Sequence, residues 1–153
     1  MEPRIFDSPR AVSRFSSARP LPMIAASVAM AKRFLKLDRY ASALATAFWP
    51  GPLTLVAPTK KLHLRIFTGA KKMHARKPEK DIALRVSPHP VAAALSKALG
   101  RPVISTSANR SGRKSAYEIP AVLADLGTMP DLVLDTGPLK KAPVSTIVRP
   151  SGG

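Results

Sequence analysis

Four short stretches of the chain gather side chains that can hold an anion or orient a reacting group. Ser105-Thr106-Ser107-Ala108-Asn109-Arg110-Ser111-Gly112 brings hydroxyls, an amide and turn-forming residues into one run. Such a bend offers O–H and N–H donors together, which suits phosphate or carboxylate oxygens. The same residue types are also ordinary turn formers. Arg85 lies in Ile82-Ala83-Leu84-Arg85-Val86, out of phase with the apolar positions. A guanidinium there points either to solvent or into a polar cleft, where it forms a fork for a carboxylate or phosphate. Thr54 follows Trp49-Pro50-Gly51-Pro52, a turn rigid enough to fix its hydroxyl. Ser145-Thr146 supplies two more hydroxyls at the start of a β-like run.

Other chemistries find little support. His63, His74 and His89 are scattered, with no carboxylate at metal-ligand spacing. The 9 acidic residues are spread too thinly to suggest an acid/base pair. There is no cysteine, which excludes disulfides, thiolate metal sites and cysteine nucleophiles. No glycine pattern of a P-loop or a dinucleotide fold is present.

The elements that must position these groups follow from periodicity. Residues 1–20 are rich in proline, serine and arginine and read as irregular. Ser27 is an N-cap candidate for a helix reaching about Leu37. Asp38 is a second one, preceding Tyr40, Ala41, Leu44, Ala45 and Phe48 on one helical face. Leu53–Ala57 and Ile82–Val86 read as strands, and Lys60–Lys80 as a basic excursion between them. Pro90 opens a helix whose stripe is Val91, Ala94, Leu95, Ala98 and Leu99, closed by Gly100. Residues 102–106 form the next expected strand. A helix opened by Pro120 and ended by Gly127 follows, and then strands at 132–134 and 144–148. This alternation predicts an α/β layer structure in one domain, residues 21–149, with a short tail at 150–153.

Length and charge set the frame. The chain has 153 residues, 45% of them hydrophobic, enough for one folded core. Its 25 Lys and Arg against 9 Asp and Glu leave a formal charge of +16, which attracts nucleic acid, nucleotides or anionic surfaces. Eight basic residues lie before position 40, nine from Lys60 to Arg85 and eight beyond, so the charge belongs to a surface and not to one tail. No apolar run is long enough to span a bilayer and no secretory leader is evident, so a cytoplasmic location is expected.

Taken together, these stretches resemble one family. Phe48-Trp49-Pro50-Gly51-Pro52-Leu53-Thr54 resembles its Trp-Pro-Gly-Pro-x-Thr segment. Arg85-Val86-Ser87-Pro88-His89-Pro90 resembles its Arg-Val-Pro-x-His-Pro junction, and Ser105 to Gly112 its Ser-Thr-Ser-Ala-Asn-x-Ser-Gly loop. Leu134-Asp135-Thr136-Gly137-Pro138 with Ser145-Thr146-Ile147-Val148 resembles its closing strands. This is the YrdC/Sua5 family of L-threonylcarbamoyladenylate synthases. The resemblance implies a YrdC-like twisted mixed sheet with flanking helices around a basic concave cavity. It implies formation of threonylcarbamoyl-AMP from L-threonine, bicarbonate and ATP with release of pyrophosphate, for N6-threonylcarbamoyladenosine in tRNA. Magnesium comes with the ATP. Carried over by position, Thr54, Arg85 and Thr106 face threonine or its carbamate, and Arg14, Ser107, Asn109 and Ser145 hold ATP. The family's opening Pro-Thr-x-Thr segment has no counterpart here, and Ser13-Arg14-Phe15 stands where the family has Lys-x-Arg. The alternatives are a non-catalytic module binding tRNA or double-stranded RNA, or an inactive shortened homologue.

Overall fold

The computed structural model describes residues 22–60, 81–110 and 112–150. The expectations for residues 1–20, including Arg14, and for most of Lys60–Lys80 lie outside the described residues. Two compact units emerge, one formed by Thr106–Val144 and the other by the described residues of 22–105 with 145–150.

The larger unit is built on a five-stranded mixed sheet in the order β4-β1-β3-β2-β5. The strands are β1 (Pro22–Ala25), β2 (Leu53–Pro58), β3 (Asp81–Val86), β4 (Val103–Ile104) and β5 (Thr146–Val148). β1 runs parallel to β3, and β5 parallel to β2. β3 is antiparallel to β2, and β4 to β1. Helices α1 (Val28–Phe34), α2 (Arg39–Phe48) and α3 (Pro90–Ala98) belong to the same unit. Ser27 caps α1 by accepting from the Met30 N–H at 3.1 Å, and Asp38 caps α2 by accepting from the Ala41 N–H at 2.7 Å. Each such cap contributes about 1 kcal/mol.

The core joins Met30, Ala31 and Phe34 of α1 and Ala41 and Ala45 of α2 to Met23, Ala25, Leu53, Leu55, Ala57, Ile82, Leu84 and Val86 of the sheet. That set leaves Ile24, Thr54, Val56, Ala83 and Arg85 to the opposite sheet face, as the period of two requires.

Several expectations are corrected. Residues 22–25, for which no strand was expected, form the inner strand β1. Its uninterrupted apolar run carries no alternation, because inner strands are buried on both faces. α1 stops at Phe34 and not near Leu37. Leu35 bridges Thr59, and the Lys36 N–H donates to the Pro58 carbonyl at 2.8 Å, so strand pairing overrides helix propensity there. Tyr40 and Phe48 of α2 are exposed, and Ala41 and Ala45 do the packing. In α3 the expected apolar stripe turns outward at Val91 and Leu95, and Ser96 is buried instead. Small residues let this face approach closely, and the Ser96 hydroxyl is satisfied by the Arg101 carbonyl at 3.0 Å and the Met30 sulfur at 3.2 Å. Strand β4 keeps only Val103–Ile104 of the expected 102–106, and β5 only Thr146–Val148 of the expected 144–148.

The smaller unit contains α4 (Ile119–Leu126), none of whose residues is fully buried. Gly127 ends it at φ 66°, the left-handed cap expected there, and its N–H donates to the Leu123 carbonyl. The expected strand at 132–134 does not form, and Leu132 and Leu134 are exposed. A strand needs a ladder partner, and the described residues of this unit provide none.

Candidate functional site

In the larger unit the site begins with the turn after α2. The Trp49–Pro50 peptide bond is cis. The Trp49 indole donates to the Leu53 carbonyl at 2.7 Å, the Gly51 N–H to the Val86 carbonyl at 3.0 Å, and the Thr146 N–H to the Pro52 carbonyl at 2.9 Å. The turn is thus pinned to β2, β3 and β5 at once. It delivers Thr54, only 4% exposed, onto the sheet face opposite the helices.

Two partners meet Thr54 there. Its hydroxyl shares a hydrogen bond with the Ser145 hydroxyl at 3.0 Å. Ile147 pairs with Thr54 in β5, which brings Ser145 to the strand's edge. On the other side, Leu55 pairs with Leu84 and Val56 with Ala83. One further step in that antiparallel register sets Arg85 across from Thr54. Arg85 is half-buried, and it forms no ion pair with any described residue. By contrast, Arg149 is paired with Asp81 near the far end of β3. An arginine on the strand position across from two linked hydroxyls suits a carboxylate or carbamate: its fork can take the charge, and the hydroxyls can orient the remaining oxygens.

This pairing yields a first prediction. Thr54→Val keeps the side-chain shape but leaves the Ser145 hydroxyl without its partner. We expect a loss of about 1 kcal/mol, read as a lower urea midpoint with unchanged m-value, and Thr54→Ser restores it.

In the smaller unit the hydroxyl-rich loop takes a different form. Thr106 and Ser107 are exposed, whereas Asn109 is half-buried and turned inward on its own loop. Its amide nitrogen donates to the Arg110 carbonyl at 3.0 Å and the Arg113 carbonyl at 2.7 Å, and its oxygen faces the Ser115 hydroxyl at 3.4 Å. Both amide hydrogens are therefore committed within the loop. Asp125 of α4 meets the same loop. Its carboxylate accepts from the Arg110 N–H at 2.7 Å and from the Arg113 guanidinium at 3.0 Å. The Arg110 N–H above all, with the Arg113 guanidinium beside it, holds the Asp125 carboxyl below its ordinary range.

Of the residues predicted from sequence, Thr54 and Ser145 are in contact and Arg85 is on the neighbouring strand. Thr106, Ser107 and Asn109 share one loop. Asp125 was not singled out, and its only sequence signal is a lone acid 12 residues after Arg113 in a basic stretch. Among the described residues no group of three or more His, Cys, Asp or Glu is arranged to hold a metal ion. None of the described helices is long and apolar enough to cross a membrane.

Comparison with known proteins supplies the context for this geometry. The chain is 33% identical over 124 residues to the threonylcarbamoyl-AMP synthase of Aliivibrio fischeri, covering 77% of this chain and 63% of that protein. It is 33% identical over 131 residues to the enzyme of that name from Halorhodospira halophila, covering 81% and 64%. The chain thus spans a little under two thirds of these relatives. Among solved structures, P. abyssi Sua5 complexed with L-threonine superposes with a TM-score of 0.71 at 29% identity, covering 92% of this chain and 41% of that one. E. coli YciO, at 22% identity and TM-score 0.72, shares the fold. The family model Sua5_yciO_yrdC, described as telomere recombination, matches residues 10–153. An α/β sheet of this order, carrying the Trp-Pro-Gly-Pro turn, the strand arginine and the Ser-Thr-Ser-Ala-Asn loop, thus places the chain in the Sua5/YciO/YrdC family, to which it belongs.

Proposed function

We propose that this chain makes L-threonylcarbamoyl-AMP from L-threonine, bicarbonate and ATP, for the N6-threonylcarbamoyl modification of adenosine in tRNA. The observation that carries the reading is the Arg85 guanidinium, without an ion-pair partner among the described residues, across from the Thr54–Ser145 hydroxyl pair. The names of the relatives and the threonine bound to P. abyssi Sua5 support it.

The chemistry balances without a protein nucleophile. The threonine nitrogen bonds to the carbon of bicarbonate, water leaves, and a carbamate results. A carbamate oxygen then bonds to the α-phosphorus of ATP, and pyrophosphate leaves with the electron pair of the broken P–O bond. Every reactant is an anion or becomes one, so fixed positive charge and preorganised donors lower the barrier. Arg85 takes the threonine carboxylate or the carbamate, with Thr54 orienting it. Ser145, tied to Thr54, lends a hydroxyl to the adenylate as it forms. Thr106 offers its exposed hydroxyl to threonine or its carbamate and Ser107 to ATP, Asn109 keeps the loop's donors in place for ATP, and Arg14 adds charge to the nucleotide. Magnesium accompanies the triphosphate. Use of ATP and tRNA corresponds to a cytoplasmic protein.

A second reading has its own support. Lys32, Arg33, Lys36, Arg39 and Lys60 are all exposed, and the Lys60 ammonium is anchored on the Lys32 carbonyl at 2.7 Å. Such a patch suits an RNA backbone. Pyrophosphate release from ATP decides between them. Turnover that requires both L-threonine and bicarbonate is expected. RNA binding that falls steeply with salt, in a protein with no such turnover, would replace the proposed activity by a binding role.

A further inference from the structure

We infer that Asp125 is a positioning residue whose carboxylate clamps the bend at Arg110 and Arg113 onto the last turn of α4 and so sets which donors of the bend remain for a ligand. The inference rests on the reading that this bend meets the phosphates of ATP.

Three contacts converge at this point. One Asp125 oxygen takes the Arg110 backbone N–H at 2.7 Å, and the other takes the Arg113 guanidinium at 3.0 Å. The Asp125 side chain is only 13% exposed, while that of Arg113 is 63% exposed, so the carboxylate is the inner member of the pair. The third contact is steric. A methyl group added at Gly127 would lie 2.2 Å from the Arg110 guanidinium, and Gly127 holds φ 66°. The Arg110 guanidinium is therefore placed beside Gly127, at the C-terminal end of α4.

The consequence is a division of labour inside the bend. Asn109 spends its amide on the Arg110 and Arg113 carbonyls, Arg113 spends its charge on Asp125, and the Arg110 N–H is capped. The Ser107 hydroxyl stays exposed. Without Asp125 the Arg110 N–H and the Arg113 guanidinium lose their common partner, the bend is no longer held against α4, and the Ser107 hydroxyl loses its set position toward the anion.

The test compares the full chain with Asp125→Ala, Asp125→Asn and Arg113→Gln. Amide hydrogen exchange is followed residue by residue, beside KM for ATP and for threonine. In Asp125→Ala, protection of the Arg110 amide should fall at least ~10-fold, with the amides of β1 and β3 unchanged. Asp125→Asn, which still offers an acceptor oxygen, should keep part of that protection. Arg113→Gln cuts the same pair from the exposed side and guards against a folding defect in the Asp125 variants. KM for ATP should rise ~10-fold with KM for threonine unmoved, since a tenfold change corresponds to one lost charge-assisted contact. Unchanged Arg110 protection in Asp125→Ala would overturn the inference, and so would equal changes in both KM values. Lost protection with an unchanged KM for ATP would uphold the clamp and remove the ATP reading of the bend.

Acid adds an independent arm. The folded-state pKa of Asp125 lies below its ordinary 3.8, so the clamp's contribution is complete above that value. It fades as pH falls through the lower, folded-state value. Glu118, Asp131 and Asp135 are the other acids among the described residues of this unit, and the comparison with Asp125→Asn separates their effect from that of Asp125. Arg110, Arg113 and Lys114 are the cationic groups of this stretch. Acid loss of Arg110 protection that is present in the wild type and absent in Asp125→Asn supports the clamp. Identical acid profiles contradict it.

Discussion

Arg85→Ala is expected to lower kcat/KM for threonine by about two to three orders of magnitude while leaving the protein folded. A guanidinium–carboxylate fork makes two charge-assisted hydrogen bonds, each worth about 1.5–3 kcal/mol in a site shielded from water. Losing about 3–4 kcal/mol of binding corresponds to that loss of rate, at 1.4 kcal/mol per tenfold. The fold should tolerate the change. Arg85 is half-buried, pairs with no described acid, and lies on the sheet face opposite the Ile82, Leu84 and Val86 core. Thermal midpoints should agree to within about 0.5 kcal/mol of stability. Arg85→Lys keeps the charge and loses the planar fork, so it should recover only part of the activity. If Arg85→Ala retained wild-type kcat/KM, the carboxylate would have to be held elsewhere.

Gly51→Ala should cost the most stability of any single methyl added near the site. Its new carbon would lie 2.3 Å from the carbonyl oxygen of Phe48. That oxygen is backbone at the end of α2, where the Trp49 N–H is already bonded to Ala45, so it has little room to move. Relief requires the turn to shift, which strains the bonds from Gly51 to Val86 and from Thr146 to Pro52. Overpacking of this kind costs about 2–3 kcal/mol, and a melting point about 5–10 °C lower is expected for a chain of this size. Activity should fall further than the unfolded fraction explains, because the same turn sets Thr54 against Ser145. An unchanged melting point would show that the turn is loose, and the rigid delivery of Thr54 would fail with it.

Periodicity made part of this architecture legible. Arg85 declared itself by falling between Leu84 and Val86, out of phase with the apolar positions, because a strand forces successive side chains to opposite faces. Ser27 and Asp38 announced α1 and α2, since a hydroxyl or carboxylate before an apolar run satisfies the first free N–H groups. Other features are tertiary and leave no local trace. Thr54 and Ser145 are 91 residues apart, and nothing near either one names the other. β1 is hidden because an inner strand reads as a featureless apolar run. The stretch 132–134 carries strand-forming residues, yet in the described unit it has no ladder to join, and propensity alone does not make a strand. Asp125 escaped notice because an acid on a short helix looks like any solvated charge until the loop that folds onto it is seen.

The family motifs supplied what the local chemistry left open. From the residues alone, the bend at 105–112 could equally be a turn or an anion cradle. Its likeness to the Ser-Thr-Ser-Ala-Asn-x-Ser-Gly loop pointed to the cradle. The structure adds that Asn109 is an internal brace, its amide bonded to the carbonyls of Arg110 and Arg113.

Calorimetric titration with L-threonine tests the central claim most directly, because it isolates the Arg85 site from nucleotide and turnover. The wild-type chain should bind L-threonine saturably and fail to bind L-threoninol, which lacks the carboxylate, while Arg85→Ala should bind neither. L-threonine binding to Arg85→Ala with the wild-type affinity would contradict the account.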